Sequence, residues 1–570
     1  MPRKSSRGIS VSDALKSSTS ILHFFSKKPD PEAIEKIADE ATIIEEIVKS
    51  KETPLFQDHN SPECSIAESE FYQDPELLSQ RDISAPSCPI CSYPFSRLSD
   101  SEALIHVNQC LDHLEPVKSQ SPEFLPPINI PSAFTKIMLN RFEDKQWQFT
   151  TERSRADRSK RSYLRSCPFY KIMPHMRIAV DAFKFGKIPD IDGYFLSHFH
   201  SDHYGGLSSS WTHGKIYCSD ITANLVLQQL RVAEAFVVRL PMDKTIWIEQ
   251  IGVTCIGANH CPGSVLFLFE KQVQGRWVRY LHCGDFRANP LQVLHPAIKG
   301  KWFDTIYLDT TYLSSKHAFP AQDDVISATS QICLSLSKEI VDDDDPVEIA
   351  RREAGIGKFV SQKTASRNGR GRLLVIVGTY SIGKERIVMG IARAMRSKIF
   401  APLYKRRICA CLEDPELLNL ITDNPIEASV HITTLREIRA ETSLEYLEQF
   451  KPHFSRIVAF RPTGWTFTSS KRRAENPSVE TIIEKWKTPY GIGDLKPQRG
   501  SSATVTVYGV PYSEHSSFRE LTCFCCSLEW GRIVPTVNVH SARSRDSMKA
   551  WCNLWKKHQG YHVYDGQRQW

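Results

Sequence analysis

Several things are missing from this sequence, and each absence narrows what it can be. No apolar run approaches the roughly 18 residues that a bilayer-spanning helix needs. The N-terminus, MPRKSSRGIS, is basic but has no apolar stretch behind it, so it does not read as a secretory signal. No segment repeats. Neither sign of charge dominates: 72 Lys and Arg against 65 Asp and Glu leave +7, a balance that suits a nucleic-acid partner without pointing to one. These absences together read as an intracellular protein with no membrane contact. In that setting 16 cysteines act as thiols and metal ligands rather than disulfides. Cys218, Cys255 and Cys333 sit in apolar stretches and read as small buried hydrophobes.

The 570 residues allow about three domains. Residues 1–84 are rich in Ser, Lys, Glu and Pro and read as disordered. Residues 85–114 hold a cysteine–histidine cluster, and 115–165 read as a linker that ends in a basic run. From 166 onward short runs such as MRIAVDAF, DGYFLSHFH, SVLFLFE and TIYLDTTY alternate with turns and with helical stretches such as ITANLVLQQLRV, which is α/β texture. A polar segment at 338–372 reads as a loop insertion.

The chemistry is concentrated in His198-x-His200-x-Asp202-His203. Residues i and i+2 of a strand point the same way. His198 and His200 are therefore expected to project together from a strand end, with Asp202 and His203 on the loop that follows. Imidazole and carboxylate are the ligands of a catalytic zinc that keeps one position open. A single histidine in an apolar strand is usually a core residue, but three with an aspartate in six residues are not. His260, in NHCPG, and Asp285, in CGDFR, follow further apolar strands and are candidates for the same site.

Taken with Asp181, these residues resemble the metallo-β-lactamase fold. The longer strings FLSHFHSDHYGGL, ANHCPGSV, GDFRANP, YLDTTY, GTYSIGKE, AFRPTGWT and YGVPYSEHSS resemble the DNA interstrand cross-link repair nucleases related to Artemis, over about residues 166–570. The resemblance implies a metallo-β-lactamase αββα sandwich at 166–312 and 501–570, interrupted by an α/β β-CASP insert at 313–500. It implies His198, His200, His260 and Asp285 around a first metal, and Asp202 and His203 at a second, with Asp285 bridging. One or two Zn2+ are expected. Asp181 is implied as the residue orienting a ligand, and Asp309 and His515 as branch-specific catalytic residues. The activity implied is 5′-to-3′ exonuclease action on 5′-phosphorylated DNA in cross-link repair, by a monomer in the nucleus. The rivals are another hydrolase on the same core and an inactive scaffold joining ubiquitin, sliding clamp and DNA. A complete ligand set speaks against the scaffold.

The turn Gly378–Glu385 follows an apolar run and opens a helix, whose N-terminus favours an anion. The Walker A spacing is absent. In the resembled family this turn, with Thr379, Ser381 and Lys384, works with serines beside the motif histidine, here Ser516 and Ser517, to hold a terminal 5′-phosphate. A position that is His in RNA-processing relatives and Val in the DNA-directed branch aligns with Val539. Arg461 and 471–473 are candidates to follow a DNA backbone, and Trp465 either stacks on a base or packs.

Cys88-x2-Cys91-x14-His106-x3-Cys110 has the ligand number and spacing of a structural zinc site. It resembles the ubiquitin-binding fingers of DNA-damage-tolerance proteins, except that Asn108 stands where those have Asp, so a DNA-contacting finger is the alternative. Ser18-x-x-Ile21-x-x-Phe24-Phe25 resembles the motif that docks in the sliding clamp, with Ser18 in place of the leading Gln.

Overall fold

The computed structural model describes residues 145–150, 152, 166–338, 371–467, 477–560 and 570. The chain separates into two units, Met1–Pro127 and Ile128–Trp570, and every described residue belongs to the second. The finger residues Cys88, Cys91, His106 and Cys110, the clamp-like Ile21, Phe24 and Phe25, and the basic run at 471–473 lie outside the described residues.

A first sheet runs β1 (Ile172–Met173), β2 (Ile178–Val180), β3 (Gly193–Phe195), β4 (Lys215–Ser219) and β5 (Val237–Leu240) in sequence order, parallel from β2 onward. A second is built from β6 (Thr245–Ile248), β7 (Ile251–Gly257), β8 (Val265–Val273), β9 (Arg276–His282) and β10 (Trp302–Leu308). The third is wholly parallel: β11 (Leu373–Thr379), β12 (Ile399–Phe400), β13 (Ile421–Thr422), β14 (Val430–Thr434), β15 (Arg456–Pro462) and β16 (Val505–Val510), in the order 13-12-14-11-15-16. The chain then returns to the second sheet, where β17 (Glu529–Pro535) pairs parallel with β10.

Side-chain alternation explains the layering. On β8, Val265, Phe267 and Phe269 face the first sheet and join Val180 and Phe195 in one core, with the Phe195 ring 5.0 Å from that of Phe269. Leu266 and Leu268 face the other way, onto a layer that includes Phe518, Leu521 and Trp555. The outer face of the first sheet (Tyr194, Leu196, Ile216) shares a cluster with Val375 and Val377 of β11, while Leu374 and Ile376 face a separate cluster with Leu447 and Phe454. Strands covered on both faces read as nearly unbroken apolar runs, as β11 (LLVIVGT) does.

Two expectations need correction. An insert ending at 500 puts β16 in the returning core. β16 pairs with β15 in the third sheet, so that sheet extends through Val510. The run TVTVYGV looks the same whichever parallel sheet it completes. Secondly, His198 and His200 are not on a strand. β3 ends at Phe195, His198 lies on the bend beyond it, and His200 is the N-cap of the short helix α1 (Ser201–Tyr204). The turn closing α1 needs glycine: Gly206 has φ +104°, and a Cβ there would lie 2.4 Å from the Phe183 carbonyl oxygen.

Candidate metal centre and its cavity

Six of the candidate residues lie just past the carboxyl end of a strand. Asp181 follows β2, His198 and His200 follow β3, His260 follows β7, Asp285 follows β9 and Asp309 follows β10. The third sheet contributes in the same way: Ser381 and Lys384 follow β11, Trp465 follows β15 and His515 follows β16. Ligand sites of open α/β sheets lie at these ends.

The ligand atoms converge. His198 Nε2 is 2.9 Å from His200 Nδ1, which is 3.1 Å from His260 Nε2. Asp285 Oδ2 faces His203 Nε2 at 3.3 Å, His198 Nε2 at 3.7 Å and His260 Nε2 at 3.9 Å. Burial first, then neighbouring imidazoles, hold His198 and His260 well below the ordinary histidine value, and burial lowers His200 as well. Neutral rings offer lone pairs, and three such nitrogens meeting one carboxylate are the donor set of a transition-metal dication.

Each ring is oriented from its outer nitrogen. Ser197 Oγ is 3.0 Å from His198 Nδ1, the Ile382 carbonyl is 3.1 Å from His200 Nε2, and the Glu514 carbonyl is 2.8 Å from His260 Nδ1. Such partners fix the tautomer and make the ligand more basic. Asp181 anchors the other side. Its carboxylate accepts from Ser197 N at 2.8 Å and Ser197 Oγ at 2.7 Å, and lies 2.8 Å from His203 Nδ1. Burial works against its charge, but His203 outweighs burial and brings it down to about 2. His203, between Asp285 and Asp181, is held well above the usual value despite burial. Asp181 also has a left-handed φ of 51°, backbone strain of the kind that collects at functional sites. Asp202 stands apart, 76% exposed, with Oδ2 3.6 Å from His203 Nε2.

A second pair adjoins the ligands. Asp309 Oδ2 is 2.8 Å from His515 Nδ1, while its Oδ1 accepts from Thr311 N at 2.9 Å and Thr311 Oγ at 2.6 Å. Burial disfavours charge on His515, but Asp309 more than offsets it and raises the pKa to about 9. His200, Asp202, His203, His260, Asp285, Ser381, Lys384 and His515 line one cavity of about 450 Å3.

A family model described as DNA repair metallo-beta-lactamase matches residues 415–541. The DNA cross-link repair protein pso2/snm1 of Schizosaccharomyces pombe is 40% identical over 484 residues, which cover 83% of this chain and 79% of that protein. The chain belongs to the DNA cross-link repair metallo-β-lactamases. As a member it is a metal-dependent nuclease. The DNA cross-link repair protein SNM1 of Arabidopsis thaliana is 35% identical over 69% of this chain and 70% of its own length. The 5′ exonuclease Apollo of Danio rerio is 28% identical over 64% of this chain and 52% of its own.

The metallo-β-lactamase site differs from expectation around the phosphate seat. Thr379, Ser516 and Ser517 do not line the cavity. Thr379 is the buried last residue of β11. Ser516 Oγ donates to the Phe286 carbonyl and accepts from Ala288 N, both at 2.9 Å. Ser517 caps helix α2 (Phe518–Ser527) by accepting from Glu520 N at 3.3 Å. The amides of the β11 turn are also taken: Lys384 N donates to Glu514 Oε1 at 2.6 Å and Gly383 N to Glu385 Oε1 at 3.0 Å. Buried carboxylates thus occupy two amides of the turn expected to receive an anion. What remains facing the cavity is Ser381 and the Lys384 ammonium, which lies 3.6 Å from Glu514 Oε2. The valine at the cavity is Val537, whereas Val539 packs in the inter-sheet core. His540 is exposed and lines no part of the cavity.

Ser516→Ala is therefore expected to cost about 1–3 kcal/mol of stability in denaturant unfolding, because it leaves Ala288 N without its acceptor. Any preference for a 5′-phosphate should survive. Loss of that preference with unchanged stability would return Ser516 to the pocket. Sequence reasoning does not single out Glu514, which sits in YSEHSS. A glutamate beside the motif histidine reads as a surface charge, and only burial to 6% exposure reveals the clamp.

Proposed function

We propose that this nuclease is zinc-dependent and hydrolyses DNA 5′ to 3′ from 5′-phosphorylated ends in cross-link repair. One observation supports this reading above others: His200, His260 and Asp285 of the converging donor set line one cavity with Asp202, His515 and Lys384. His198, His200, His260 and Asp285 would hold the first ion, and His203 with Asp202 would face a second. A bound zinc ion acts as a Lewis acid that makes hydroxide available near pH 7 and neutralises charge growing on phosphoryl oxygens.

The protein's own groups complete the reaction. Exposed Asp202 orients the attacking water and accepts its proton. His515, kept protonated by Asp309, donates a hydrogen bond to the phosphoryl group as negative charge accumulates there. Lys384 and Ser381 receive the terminal phosphate, which sets the scissile bond at a fixed distance from the strand end. The proposal extends to the N-terminal unit: a structural zinc in the finger, contact with ubiquitin or a ubiquitinated sliding clamp, and action in the nucleus as a monomer. Among the described residues no helix is long and apolar enough to cross a membrane.

End-labelled single-stranded DNA bearing a 5′-phosphate or a 5′-hydroxyl tests the reading, with and without chelator. Mononucleotides are expected from the phosphorylated strand alone, and none with chelator. Equal digestion of both strands would remove the terminal-phosphate claim. Chelator-resistant digestion, or full activity in Asp202→Ala, would remove the metal mechanism.

A further inference from the structure

The 3-10 turn Gly464–Thr466 carries an indole that is exposed and yet held in place. Trp465 is 61% exposed while lining the catalytic cavity. Its backbone is pinned: Trp465 N donates to Thr463 Oγ at 3.4 Å, and Thr466 Oγ donates to the Thr463 carbonyl at 2.7 Å. Gly464 lets the turn lie against Tyr312, since a Cβ there would come within 2.7 Å of the Tyr312 hydroxyl. Two rings back the indole, Tyr312 with centroids 5.1 Å apart and His317 at 5.3 Å. Buried Tyr312 in turn stands 5.9 Å from the ring of His515.

Leaving so large an apolar ring in water is unfavourable. A merely structural tryptophan would be expected to turn into the core. Here the supports hold the ring beside a cavity that is also lined by His515 and by Lys384, whose ammonium suits a phosphate backbone. Every nucleobase has a π-face, so an aromatic platform beside cationic groups grips a single strand whatever its sequence.

We infer that Trp465 is a stacking platform for one nucleobase near the 5′ end of the strand entering the cavity. The inference rests on DNA being the substrate. Trp465 makes affinity depend on the presence of a base, not on its identity, one aromatic layer away from His515.

Binding without turnover tests this. The full chain in chelator is titrated into 3′-labelled, 5′-phosphorylated single strands, followed by anisotropy. The strands are intact or carry one abasic residue, moved through the first five positions. Trp465→Ala is expected to weaken binding of intact DNA about ten-fold, and Trp465→Phe only about two- to three-fold. One abasic position should weaken the wild type about ten-fold and leave Trp465→Ala unaffected. Wild-type-like binding by Trp465→Ala overturns the inference. So does a deficit that persists undiminished at every abasic position, as a structural prop would give. Failure of the wild type to bind any strand would instead strike at DNA as the substrate, and the inference would fall with it.

Discussion

Asp285→Asn is expected to lower kcat/KM by at least about 10^3-fold, the equivalent of roughly 4 kcal/mol of transition-state stabilisation. Among the described residues, Asp285 is the one carboxylate that faces His203, His198 and His260 together, from 3.3 to 3.9 Å. Burial opposes its charge, yet His203, followed by His515 and His198, outweighs burial and holds the group well below the ordinary carboxylate range. The asparagine keeps the shape and removes the charge, so the fold should persist while metal content drops. Steady-state kinetics with elemental analysis of the purified variant checks both. Activity within ten-fold of wild type would exclude Asp285 from the metal site.

His515→Ala should lower kcat about 10^2- to 10^4-fold and also destabilise the protein, by about 3 kcal/mol. The stability loss arises because Asp309 is only 2% exposed and would lose its ring partner, with Thr311 N, Thr311 Oγ and Phe286 N as its remaining partners. The two effects separate in Asp309→Asn, where the imidazole stays but its counter-charge is gone. The pH dependence follows from the sign of the shift. The folded value, about 9, lies above the ordinary 6.5, so the folded state binds the proton more tightly. The pair's stabilisation is complete below about pH 6.5 and is lost as pH rises through about 9. Wild-type activity should therefore fall off on an alkaline limb whose upper bound is about pH 9, since a cation at Asp285 repels the imidazolium and moves the limb down. In Asp309→Asn the limb should shift toward about 6.5. An unmoved limb would show that His515 does not carry the titration.

The ligand set was legible because its chemistry is dense and local. His198, His200, Asp202 and His203 occupy six residues, and His260 and Asp285 each follow a short run whose length and Val, Ile, Tyr and Phe content mark a strand. Strand ends point to the site, so recognising the strands located the candidates. The phosphate seat was less legible. A serine beside a motif histidine looks the same whether its hydroxyl faces a ligand or, like Ser516, a carbonyl 230 positions earlier. The amide of Lys384, just before a helix, looks open until a distant Glu514 is seen to fill it. Val537 and Val539 differ by one period of an extended chain and so occupy the same face by pattern, but the backbone after β17 bends, with Asn538 at φ 58°, and sends only Val537 to the cavity. The boundary near 500 failed because a parallel strand covered on both faces carries no mark of which sheet it joins.

The most direct test of the central claim is a metal titration of the stripped protein. The full chain is dialysed against chelator, zinc is added back stepwise, and bound zinc and hydrolysis of 5′-phosphorylated single-stranded DNA are measured together, alongside His198→Ala, His260→Ala and Asp285→Asn. Activity should vanish on stripping and return in proportion to zinc, while the three variants bind less zinc and stay inactive at the wild-type saturation point. Hydrolysis by the stripped protein, or full zinc-restored activity in any of the three variants, would contradict the assignment of these residues as the catalytic metal centre.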